Sequence, residues 1–175
     1  MKEAWIEMGY TMFSKKGLPG LKIEPLAKAV HKSKSSFYHH FADSEIFIDE
    51  LLQYHMQQCK KIAIKEMSAK NIHPELITIL VEHKRDILFS QQLRFNTKVP
   101  SFENLFIQTN KLVGEAFINV WLKDLQLNLT NNQIEGIFTL ALDNFFLQIN
   151  EQNFTFEWLE MYFINLKKIV YKLVN

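Results

Sequence analysis

Between Lys34 and His40 the chain carries a run of hydrogen-bond donors without a carboxylate: Lys34, Ser35, Ser36, Tyr38, His39 and His40, interrupted by Phe37 and followed by Phe41. Phe37 and Phe41 are four apart, the spacing that anchors one face of a helix in a core, so the other six residues are left pointing outward. A solvated helix face normally mixes both signs of charge. A face of donors alone suits phosphate oxygens and base edges, although a plain lysine-rich surface would give a similar list.

Two other sets of residues could do chemistry. His55 and Cys59, four apart, could hold a metal from one helix face, with His83 as a third ligand. Two soft ligands do not complete a site, and an ordinary partly buried pair explains them as well, so no metal and no cofactor is expected. His83 suits either a satisfied core histidine or a polar anchor in a cavity. Catalysis has no support: there is no glycine-rich phosphate loop, no G-x-S-x-G, no H-E-x-x-H and no paired CxxC pattern, and Cys59 has no local base other than His55.

The elements around the donor face can be read from spacing and punctuation. Met1 to Lys16 reads as an amphipathic helix with Trp5, Met8, Met12 and Phe13 inward, stopped by Gly17. After the loop Leu18-Pro19-Gly20, a short helix turns Leu26, Ala27 and Val30 inward, with Pro25 tolerated in its first turn. Ser33 can then cap the donor-bearing helix. Two short helices joined by a tight turn, with donors on the second, are laid out to enter a major groove.

Charge is distributed to match. From Ser14 to Phe41 there are six lysines (15, 16, 22, 28, 32, 34) against Glu24 alone, plus three histidines, whereas the chain from Ile48 onward has thirteen basic and fourteen acidic residues. The net charge of +1 conceals this concentration. With 175 residues and 47% hydrophobic content there is ample material for a packed core. A single cysteine excludes an internal disulfide, no apolar run approaches a membrane span, and Lys2 and Glu3 do not begin a signal-peptide core. The expectation is a soluble, cytoplasmic protein.

The order Phe13, Gly17, Leu26-Ala27, Ser33-Lys34, Phe37-Tyr38-His39-His40-Phe41 and Glu45 resembles the tetracycline-repressor (TetR) family of transcriptional regulators. The aromatic-Tyr-x-His-Phe cluster is its most discriminating part. The resemblance implies an all-α fold of about nine helices. A three-helix helix-turn-helix domain (1–47) would precede a helical ligand-binding and dimerisation domain (48–175). By position it puts Lys34, Ser35 and His39 at base edges, Ser36, Tyr38 and His40 on phosphates, and Lys22 near the phosphate contact that opens the first motif helix. Four positions depart from the family pattern: His31 stands for the turn glycine, Lys32 for a small apolar residue, Ser44 for a common phosphate-binding lysine, and Glu24 brings a negative charge. The polar arm that usually precedes the first helix is nearly absent.

Beyond the motif, Asp43 can cap a helix to about Met67 with Phe47, Leu51, Tyr54, Gln58 and Ile62 on one stripe. Pro74 suits the start of a helix to Phe89 carrying Leu76, Leu80, His83 and Ile87, and Ser90 to Pro100 reads as irregular or a short helix. Ser101 to about Leu125 is long and aromatic. Thr130 and Gln133 match a capping box, with Leu129 and Ile134 as its staple, at the head of a helix to about Asn150. The last helix runs from Phe156 to about Val174.

A small-molecule effector is expected among the middle helices, with Phe89, Phe106, Val113 and Phe117 as walls and His83 and Thr109 as polar anchors. That lining suits an apolar, uncharged or weakly acidic molecule, and it suits a dry core equally well. The last two helices each have more apolar surface than one partner covers. Either all of it is core, or Leu140, Leu147, Leu166 and Leu173 meet their copies in a homodimer, as the resemblance implies. The whole reading is a repressor of a palindromic double-stranded DNA operator, released when ligand shifts the helix from Asp43 to Met67. The alternative is a helical interaction protein that keeps the motif without sequence-specific DNA binding.

Overall fold

The computed structural model describes residues 2–174, and the described residues form helices joined by turns, with no strand among them. The α-helices are α1 (Lys2–Lys16), α2 (Ile23–Ala29), α3 (Lys34–His40), α4 (Ser44–Ser68), α5 (Ile77–Glu82), α6 (Lys84–Phe95), α7 (Pro100–Leu125), α8 (Asn131–Gln148) and α9 (Phe156–Val174). None is long and apolar enough to cross a membrane.

Local chemistry explains the boundaries. Gly17 ends α1 with a φ of 60° that favours glycine, and its amide bonds the Phe13 carbonyl at 2.7 Å. The Asp43 carboxylate accepts from the Ile46 amide at 2.8 Å and starts α4. Thr130 and Gln133 form the expected reciprocal capping box. The expected single helix from Pro74 to Phe89 is not continuous. A wide turn over Ile72–Leu76 leads into α5, His83 leaves helical geometry, and α6 restarts at Lys84. The stretch expected to be irregular or a short helix is divided: α6 continues through Ser90 to Phe95, and residues 96–99 form the turn into α7.

Packing divides the chain into two compact units, Met1–Lys60 with Arg85–Asn110, and Lys61–Lys84 with Lys111–Asn175. In the first unit, Phe37, Phe41, Phe47 and Trp5 form one aromatic cluster, with Phe37 centred 5.5, 5.0 and 5.2 Å from Trp5, Phe41 and Phe47. Gly9 allows this closeness, since a Cβ there would lie 2.3 Å from the Phe47 ring.

A second cluster in the same unit is polar and buried. Tyr10 donates to Asp86 at 2.9 Å, so at 2.6 Å its oxygen is left to accept from His55 Nδ1. His55 Nε2 then accepts from Ser90 at 3.1 Å, with Cys59 Sγ 3.4 Å away. Phe89 lies against both rings, 4.3 Å from Tyr10 and 4.4 Å from His55. The network joins α1, α4 and α6. His55 and Cys59 thus lie in a buried hydrogen-bonded network, and no cluster of three metal-ligating side chains occurs among the described residues.

In the second unit, α8 turns Phe145 and Phe146 inward, with buried Ile149 just after it, and α9 turns in Leu159, Phe163 and Val170. Lys167 reaches Asp124 at 3.0 Å, and the Tyr162 hydroxyl donates to the Ala141 carbonyl at 2.8 Å. These bonds fix α9 against α7 and α8.

The buried network carries a pH signature. Burial pushes the His55 pKa down to about 3, against the opposing pull of the Asp86 charge, so the folded state holds the ring neutral. A pKa lowered on folding means that His55 contributes its stability above pH 6.5 and loses it as pH falls toward 3. The stability advantage of the wild type over His55→Gln should shrink by about 2 kcal/mol between pH 7 and pH 5. Urea unfolding of both proteins at each pH measures it, and an advantage that stayed constant would place the neutral imidazole elsewhere.

Candidate nucleic-acid interface

The donor-bearing surface is built by α2, the turn after it and α3. Leu26, Ala27, Phe37 and Phe41 are buried and fasten both helices to the first unit's core. The turn is a Schellman motif: the His31 amide bonds the Lys28 carbonyl at 3.1 Å, and the Lys32 amide bonds the Ala27 carbonyl at 2.9 Å. His31 takes the left-handed position, with φ 54°. Its side chain therefore sits in a conformation that only glycine adopts without cost.

Ser33 caps α3 as its type and position require, its hydroxyl accepting from the Ser36 amide at 3.2 Å and lying 2.8 Å from the Ser35 hydroxyl. Lys34, Ser35, Tyr38 and His39 are exposed, Ser36 and His40 half-buried, and Lys22 is exposed just ahead of α2. Tyr38 stands out at 56% exposure, because it is a large ring left in solvent beside the buried Phe37. Six donors and no acid therefore share the outer surface of α3.

One acid from α2 reaches that surface. Glu24 Oε2 lies 3.1 Å from Lys34 Nζ, and Oε1 lies 3.9 Å from Lys28 Nζ. The hydrogen bond from Lys34 is the main cause that holds the Glu24 carboxyl below its usual range. Both partners are more than half exposed, so the pair is weak as a stabilising contact. Its effect is local charge: in the isolated chain Glu24 offsets the lysine at the head of α3. The sequence shows the negative residue in the motif, but its contact depends on the angle between α2 and α3.

The residues expected to line an effector pocket divide between the two units. Phe89 and Thr109 are buried in the first and Phe106 is half-buried there, whereas His83, Val113 and Phe117 belong to the second and are half-buried. Phe89 is committed to the aromatic stack with Tyr10 and His55. The Thr109 hydroxyl donates back to the Leu105 carbonyl at 2.9 Å. An open cleft on the first unit is lined by Lys2, Glu3, Ile6, Glu7, Glu50, Gln53, Tyr54 and Gln57, none of them an expected pocket residue.

The four candidate interface leucines belong to the second unit. Leu140, Leu147 and Leu173 are 70%, 74% and 69% exposed in the single chain, and Leu166 is half-buried.

Solved structures share this architecture over nearly its whole length. A transcriptional regulator from Rhodococcus sp. RHA1 superposes with a TM-score of 0.66 at 13% identity, covering 98% of this chain and 96% of its own. A protein of Mesorhizobium loti MAFF303099 assigned to the TetR family of transcriptional regulators gives 0.59 at 14% identity, covering 98% and 95%. The chain has the TetR-regulator fold. The multidrug-binding protein EbrR, solved with imidazole, gives a TM-score of 0.53 at 16% identity, covering 94% of this chain and 93% of its own. No family model and no curated protein sequence matches the chain.

The turn gives a test of its own. Replacing His31 with glycine removes the left-handed cost, about 1 kcal/mol or more, and returns part of it as chain entropy. His31→Gly should therefore be more stable than the wild type by about 0.5 kcal/mol, and His31→Val less stable. Urea midpoints decide, and a destabilised glycine variant would mean that the imidazole makes a stabilising contact.

Proposed function

We propose that this protein is a homodimeric DNA-binding transcriptional regulator of the TetR family, acting in the cytoplasm as a repressor that a small molecule releases from a palindromic operator. The observation that carries the reading is the outer face of α3: exposed donors, free of carboxylates, on a helix whose other side is locked into an aromatic core. Lys34, Ser35 and His39 read base edges in the major groove, while Ser36, Tyr38, His40 and Lys22 hold phosphates. By role, residues 1–47 read DNA and 48–175 sense ligand and dimerise. EbrR, a fold relative that binds drugs, supports a ligand-responsive second part. No catalytic role is assigned.

The exposed leucines support the dimer. One chain alone leaves Leu140 and Leu147 of α8 and Ile169 and Leu173 of α9 in water, and a second copy of the same surface buries them by two-fold symmetry. Two reading helices held by one dimer then meet successive major grooves, which is why the operator is palindromic.

Selection from a random duplex pool should enrich a palindrome, with affinity that falls steeply as salt rises. His40→Ala and Tyr38→Phe should weaken all sequences alike, and Lys34→Ala should relax preference at one base pair by about 1–3 kcal/mol. Glu24→Gln should act in the opposite sense, tightening binding to random duplex by roughly threefold or more by unmasking Lys34. A pool without an enriched palindrome would refute the repressor reading and favour a non-DNA-binding interaction protein. For assembly, the wild type should sediment as a dimer at micromolar concentration. Leu147→Glu should give folded monomers with weakened operator binding, and a monomeric wild type would contradict the interface.

A further inference from the structure

The inward stripe of α4 ends on an acid. Ile62 and Ala63 are buried, and one turn further on Glu66 is 0% exposed. Among the described residues neither of its carboxylate oxygens has a hydrogen-bond partner. A buried carboxyl left without a partner is costly as the neutral acid and far more so as the anion, and folded proteins keep such groups rarely. Burial alone pushes its pKa up to about 8, with no neighbouring charge contributing to the shift.

The second unit does not lack cations that could have answered it. Lys65, the preceding residue, is turned outward to Glu82 at 2.9 Å, and Lys167 is 3.0 Å from Asp124. Lys84 donates to the Glu151 carbonyl. Each of these amines is used at the surface. A leucine or methionine at position 66 would have packed there without the electrostatic cost, so the acid is explained by a group that comes from outside the chain. The same unit holds a half-buried His83 and an aromatic cluster, with Phe117 within 5.7–6.3 Å of Trp121, Phe138 and Phe163. Rings of this kind suit the apolar body of a ligand and attract a cation to their faces.

We infer that Glu66 is the polar anchor of a ligand site in the second unit, and that it selects a molecule with a protonated amine on an apolar frame. This rests on the ligand-responsive reading above and reverses one expectation drawn from the aromatic residues alone, since a weakly acidic effector would meet a buried acid. The ammonium group donates to the carboxylate that the fold leaves unanswered, and the apolar frame takes its place among aliphatic and aromatic side chains of the same unit. The spacing Gln58, Ile62, Glu66 carries the signal in the sequence: an acid continues the inward stripe where a hydrophobic residue is due.

The test compares ligands that differ only in charge. Benzylamine, 2-naphthylmethylamine and decylamine would each be titrated calorimetrically into the full chain at neutral pH, beside the alcohol of the same skeleton. 2-Naphthylacetate serves as the anionic control. At least one amine should bind about tenfold or more tightly than its alcohol. The naphthylacetate should not bind. Glu66→Gln, nearly isosteric, should keep the fold by circular dichroism and lose the preference for the amine. Equal binding of amine and alcohol by the wild type, no binding of any amine up to millimolar concentration, or a preference that survives in Glu66→Gln would each overturn the inference. Duplex binding by the ligand-free wild type is measured in parallel. A protein that binds DNA without preferring amines rejects only the Glu66 assignment, and one that prefers amines without binding DNA rejects only the regulator.

Discussion

A helix of two turns does not hold its shape in water, because nucleation costs more than so few hydrogen bonds return. α3 has seven residues, and everything asked of its outer face depends on the ring at its centre. Phe37 is fully buried between Trp5 of α1, Phe47 of α4 and Phe41 just beyond α3 itself. Truncating a ring of this size in a core costs about 3–5 kcal/mol, comparable with the whole stability of many small domains. The donors of α3 are therefore displayed by aromatic packing, and Ser33 contributes only the cap that sets where the helix begins.

The same packing extends beyond the motif. Tyr10 belongs to α1, yet its hydroxyl is shared between His55 of α4 and Asp86 of α6, and Phe89 of α6 is stacked on its ring. The unit that presents α3 consequently includes chain from well past residue 47. In this arrangement α4 is a single helix with His55 in one compact unit and Glu66, three turns further on, in the other.

Much of this was legible in the sequence because its determinants are local. Gly17, Ser33, Asp43 and the Thr130–Gln133 box act within a few residues of themselves, and each ends or begins a helix where its type implies. The inward stripe of α4 and the two-faced pattern of α8 follow from periodicity, which a helix converts directly into burial. What spacing did not carry was pairing across elements. Phe89 has the composition of a pocket wall, but Tyr10 and His55, far away in sequence, claim its two faces. The break at His83 was hidden because no glycine or proline marks it. Glu24 was visible as a charge, whereas its reach to Lys34 depends on the turn held by His31.

The central claim is that the outer face of α3 is the surface that meets DNA. Site-specific photo-cross-linking tests it most directly: a photoreactive side chain replaces Ser35 on α3 or, as a control on the first unit's acidic cleft, Gln57 of α4. Each full-length protein is then irradiated with radiolabelled genomic duplex fragments at low salt. The account predicts covalent protein–DNA adducts from position 35 that unlabelled duplex competes away, and none above background from position 57. Adducts from position 57 with none from position 35 would contradict it.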